Sequence, residues 1–138
     1  AIGFETEAFA ICDTLRYVKP PVHTICIGQA MGTAAVILSA GTKGQRAALP
    51  HASIVLHQPR SGAQGQATDI QIRANEVIHN KKAMLEILSQ NTGRSVDQLS
   101  KDSDRMSYLN PKEAVEYGVI DRVLTSRKDL PNEKVLPK

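Results

Sequence analysis

Apolar positions along the chain change their period several times, and each change predicts an element. Ala8, Ile11, Cys12, Leu15 and Val18 recur every three or four residues, which gathers them on one face of a helix closed by Pro20 and Pro21. The run VHTICI, residues 22–27, is β-rich and predicts a short buried strand. From Met31 to Ala40 the residues are small or aliphatic, which predicts a helix buried all round and capped by Gly41. After the turn GTKGQR, the segments RAALP and SIVLHQ predict two short strands flanking Pro50. Pro59 to Gln66, rich in glycine and polar residues, reads as a loop or an irregular glycine-rich strand. Ile70, Ala74, Val77, Ile78, Leu85 and Leu88 then keep a helical stripe from about Thr68 to Gln90, stopped by Gly93. SVDQL starts a short helix with a Ser95/Gln98 capping box. In NPKEAVEYG, Asn110 is the N-cap, Pro111 the first helical residue, Glu113 the reciprocal partner and Gly118 the C-cap. VIDRVL predicts a last strand, and the charged, proline-bearing end reads as a disordered tail.

Strands alternating with helices, with crossovers long enough to be parallel, predict an α/β layered fold. The expected organisation is one domain over residues 1–126 and a tail over 127–138. The long helix carries more apolar stripe than one small core needs, which points to a subunit contact. Composition adds little to this except at the core: aromatics make up 4% and Trp is absent, so the interior rests on Ala, Ile, Leu and Val. The net charge of +3 comes from Lys and Arg spread along the chain, which predicts a solvated surface and no nucleic-acid interface. Cys12 and Cys26 lie in apolar segments and read as buried thiols suited to a reducing compartment. The four histidines lack any Cys-x-x-Cys companion, so no metal site is expected. No apolar run reaches ~18 residues, so no membrane span is expected. The chain opens without Met, almost directly on a helix, and missing upstream sequence is the expectation.

The candidate chemistry lies in GQAMGTAAVILSAG, Gly28 to Gly41, directly after the strand-like VHTICI. Hydrolases place a nucleophilic serine at such a strand-to-helix turn, where backbone amides can also form an oxyanion hole. This turn holds Met31, Gly32 and Thr33.

The blocks AICDTLRYVKPPVHTICIGQA, SAGTKGQR, ALPHASIVLHQP, GQATDIQI and NPKEAVEYGVIDRVL closely resemble the Clp protease proteolytic subunit family, and the match runs without a gap from about Phe9 to Leu124. The resemblance implies a crotonase-like, ClpP-type α/β fold with a handle, a long helix and a glycine-rich strand over about 58–92. It also implies a serine peptidase site. There the imidazole takes the serine proton, a carboxylate fixes the imidazole, and amides stabilise the oxyanion. Carried onto this chain, the nucleophile position is Gly32, the histidine is His57 and the aspartate position is Met106. Two of the three members are therefore absent, and loss of even one costs orders of magnitude in rate. In the oxyanion region Thr33 stands where the family places an amide donor, and Gly3 is the residue nearest the family's Gly-Gly pair.

Thr33 as a substitute nucleophile would point away from the histidine. Asp104 reaches the acid position only through a two-residue slip against clear matches on both sides. The pattern is similar to the non-catalytic ClpR-type paralogues of cyanobacteria, plastids and related organelles. It implies a structural subunit of an ATP-dependent protease barrel, without cofactors, in a heptameric ring formed alone or mixed with active ClpP-type subunits. A Clp-family AAA+ unfoldase ATPase would dock on it. The implied location is a chloroplast or apicoplast stroma, or a cyanobacterial cytoplasm. The alternative is a catalytically active serine-type endopeptidase subunit with an unorthodox site. Acyl-CoA chemistry on the same architecture fits the HQP and EAVEYG blocks poorly.

Overall fold

The structure is a computed structural model that describes residues 5–58 and 65–129. Gly3, the glycine-rich stretch at 59–64 and the end from 130 onward lie outside the described residues. Helix α1 (Glu5–Tyr17) has Glu5 and Glu7 in its first turn and Arg16 in its last, the charge order that complements the helix dipole. Only Ala8 and Cys12 of its expected inner face are fully buried, while Ile11 and Val18 are exposed.

The apolar run from Val22 is divided by Gly28 into two strands that enter different sheets. Strand β1 (Thr24–Cys26) joins β3 (Arg46–Ala48) and β6 (Arg122–Val123) in a parallel sheet, with Thr24 opposite Arg46 and Ala47 opposite Arg122. Strand β2 (Gln29–Met31) runs parallel to β4 (Ser53–Leu56), which pairs antiparallel with β5 (Ser107–Leu109). Three expectations change here. β1 is a half-open strand: among the described residues it has a sheet neighbour on one side only, and Ile25, with Ile27 just beyond it, is exposed. Met31 belongs to β2, so helix α2 runs only from Thr33 to Ser39. Gly41 is not its left-handed cap: Ala40 caps the helix in ordinary right-handed geometry. Gly41 is instead where a Cβ would run into the Thr24 side chain, whose hydroxyl donates to the Leu38 carbonyl at 2.8 Å.

Helix α2 is shared by two apolar clusters. Ala35 and Leu38 join Ala48, Ile54, Leu56, Ala114, Val119 and Ile120 between the sheets and helix α5 (Pro111–Tyr117). Val36 joins Cys12, Met84, Leu85, Leu88 and Leu99, which brings α1, helix α3 (Ala67–Thr92) and helix α4 (Val96–Ser103) together. Burial on two sides explains the small residues of α2. Ala34, between the two faces, is exposed, so the helix is not buried all round. Burial holds both cysteines as free thiols with raised pKa values.

Helix α3 is two residues longer at its end than its stripe predicts, and only its second half is covered. Met84, Leu85 and Leu88 are buried, while Ile72 is 67% and Ile78 65% exposed. The caps follow the sequence: Ser95 accepts from the Gln98 amide, and Asn110 and Glu113 complete both bonds of a capping box. Gln98's side chain, however, bonds Asp102 rather than closing a second box. Residues 127–129, assigned to the tail, form a 3-10 turn in which the Asp129 carboxylate accepts from the amides of Thr125 and Ser126, both at 2.7 Å.

One charged pair locks the parallel sheet. Arg46, 3% exposed, donates to both oxygens of Asp121, through Nε at 2.9 Å and through a terminal nitrogen at 2.7 Å. It also reaches the carbonyls of Ser39 and Asn91, so the ends of α2 and α3 are tied to the same guanidinium. Among the described residues no helix is long and apolar enough to cross a membrane.

Candidate functional site

Strand β2 passes into α2 through a single residue, Gly32, with φ 58° and ψ −115°. That conformation is strained for any residue with a side chain and marks functional turns when one adopts it. Two sets of hydrogen bonds fix it. The Gly32 amide donates to the Val55 carbonyl at 2.9 Å, and the Gly32 carbonyl accepts from the amides of Ala35 and Val36 at 3.0 and 3.2 Å. The turn is therefore seated on β4 on one side and on the first turn of α2 on the other.

β4 also delivers His57, two residues beyond Val55. The half-buried imidazole lies directly over Gly32: a Cβ built there would be 2.6 Å from Nε2, 2.8 Å from Cε1 and 3.3 Å from Cδ2. The other ring nitrogen, Nδ1, is 2.8 Å from the Gln58 carbonyl. A carbonyl only accepts, so Nδ1 carries the proton of this bond and Nε2 faces the turn. His57 and Gly32, 25 positions apart in the chain, are thus packed against each other.

The position expected to hold the acid, Met106, lies directly before β5. β4 and β5 pair Leu56 with Ser107, so one further step would set His57 opposite Met106. Met106 is exposed, and its sulfur lies 3.9 Å from the Tyr108 hydroxyl. A thioether cannot hold an imidazole proton as a carboxylate does. The nearest carboxylate in sequence, Asp104, accepts from the Gln58 side-chain amide instead, and Gln58 also donates to the Ser100 carbonyl at 3.3 Å. Asp104 is therefore engaged by Gln58. Thr33, half-buried, is the first residue of α2. The structure thus brings His57 over the turn made by Gly32 and Thr33, while Met106, directly before β5, has its sulfur against the Tyr108 hydroxyl. Gln58 was missed in the sequence. Its place directly after His57, in HQP, is the only signal that could have singled it out.

Among the described residues no group of three His, Cys, Asp or Glu is close enough together to hold a metal ion.

The profile of the family described as Clp protease matches residues 3–127. The chain belongs to the Clp protease family. It is 74% identical over 131 residues to an ATP-dependent Clp protease proteolytic subunit-like protein of Synechococcus elongatus, an overlap covering 95% of this chain and 58% of that protein. It is 53% identical to ATP-dependent Clp protease proteolytic subunit 2 of Gloeobacter violaceus, over 88% of this chain and 56% of that one. It is 47% identical to the chloroplastic ATP-dependent Clp protease proteolytic subunit-related protein 4 of Arabidopsis thaliana, over 92% of this chain and 42% of that one. The chain thus spans about half the length of these Clp relatives, which come from cyanobacteria and a chloroplast. Its mixed α/β architecture agrees with membership of the family.

Proposed function

We propose that this chain is a non-catalytic structural subunit of an ATP-dependent Clp-type protease barrel, contributing to protein degradation by assembling with active subunits. The observation that carries the reading is Gly32. The residue that faces His57 Nε2 at a nucleophile-type turn has no side chain, so it offers no oxygen for attack on a peptide carbonyl. Met106, directly before β5, supports it, since a thioether stands where the resemblance implies a carboxylate. The relatives' names, proteolytic subunit-like and subunit-related, point the same way.

In this reading the fold is the crotonase-like ClpP type, and α3 belongs to the handle between stacked rings. The partners are active ClpP-type subunits in a heptameric ring and a Clp-family AAA+ unfoldase. The setting is a cyanobacterial cytoplasm or a plastid stroma. A fluorophosphonate probe tests the central claim. The chain should stay unlabelled, and should leave a fluorogenic peptide intact, under conditions in which an active Clp peptidase reacts fully. Labelling of this chain, or hydrolysis abolished by His57→Ala, would instead establish the alternative of an active endopeptidase with an unorthodox site.

A further inference from the structure

We propose that His57 is a fixed plug over the turn, so that the site is closed to a side chain at position 32 by shape as well as by chemistry. The proposal rests on the reading of Gly32 and His57 as the nucleophile and base positions. In a working pair the hydroxyl oxygen lies about 2.6–3.2 Å from the base nitrogen, with the Cβ behind it. Here the Cβ position itself is 2.6 Å from Nε2, which leaves no room for an oxygen between them. The ring would have to retreat by roughly an ångström before a serine could stand there in a productive pose.

Such a retreat is easy for the loose end of a long side chain, but this ring is anchored. Nδ1 is bonded to the Gln58 carbonyl at 2.8 Å. Gln58 is anchored in turn through its side chain, to Asp104 and to the Ser100 carbonyl of α4. The floor is held by the same strand, because Val55 accepts the Gly32 amide. β4 and the two residues after it therefore grip the turn at Val55 and the imidazole at Gln58, three residues apart. A histidine without its acid has a use in this arrangement: it fills the space over Gly32, while the Gln58 side chain beside it links the end of β4 to α4 and Asp104. Restoring the serine alone would oppose these contacts.

A thermal-denaturation cycle on the protein tests the plug. Gly32→Ala should lower the midpoint by about 8 °C or more, because the methyl meets both the ring and the backbone strain. In a His57→Ala background the same change should lower it by half that or less, since only the strain remains. Equal losses in the two backgrounds overturn the plug. Imidazole nitrogen NMR on the unaltered protein gives a second reading that needs no variant. The neutral ring should carry its proton on Nδ1, and a proton found on Nε2 alone overturns the anchored ring. Equal losses in a chain that stays unlabelled by fluorophosphonate remove the plug only. Labelling of the unaltered chain removes the non-catalytic reading on which it rests.

Discussion

Arg46 and Asp121 show how one pair decides stability at a sheet junction. Asp121's carboxyl is held below its ordinary range, first by the side-chain bonds from Arg46 and then by amide donors that include Gly44, against the opposing effect of burial. A depressed folded value means that its contribution is present above the unfolded carboxyl's titration near pH 3.9 and is lost as pH falls through the folded value. Denaturant midpoints recorded from pH 6 downward should therefore fall below about pH 4, and Asp121→Asn should flatten that fall. Asp121→Ala should cost about 3 kcal/mol in the same measurement near neutrality, because it strands a buried guanidinium. Nothing in the sequence joins these two residues, which lie 75 positions apart; the β3–β6 pairing does. The site residues were legible in the opposite way. The glycine at position 32 is visible as a letter, but the closeness of His57 to it depends on how far β4 carries its end over the turn.

At the scale of elements, helices were easier to foresee than strands. α5 could be read residue by residue because its caps are local: Asn110, Glu113 and Gly118 bond within the same short stretch, and Pro111 sits at the first helical position. Asn110→Ala should accordingly cost about 1 kcal/mol, seen as a fall of a few degrees in the melting midpoint. β5 was not foreseen. Its three residues are half-buried or exposed and follow a charged segment, so its strand character comes only from pairing with β4. α3 was foreseen as a helix, but which part of its stripe is covered depends on α4 and α1, which reach only its second half. Hydrogen exchange on the isolated chain should be at least ~10-fold faster for amides of residues 70–79 than for residues 84–92, because cover sets local opening. In the proposed handle, that gap should narrow on assembly with active subunits.

For the whole molecule, the expected behaviour is incorporation without added active sites. Barrels reconstituted with rising proportions of this chain should lose fluorophosphonate-labelled sites in direct proportion to the mass of chain incorporated, as read by native mass spectrometry. Undiminished labelling would contradict the assembly role proposed for it. The Gly32 conformation has a wider consequence for such barrels. In an active subunit the nucleophile must occupy strained backbone, and stability is given up for reactivity. Glycine occupies φ 58° without a Cβ in the way, so in the proposed role this chain escapes that compromise. A barrel that includes it would trade cutting capacity for mechanical endurance, with the inert subunits serving as the sturdier staves around a smaller number of working ones.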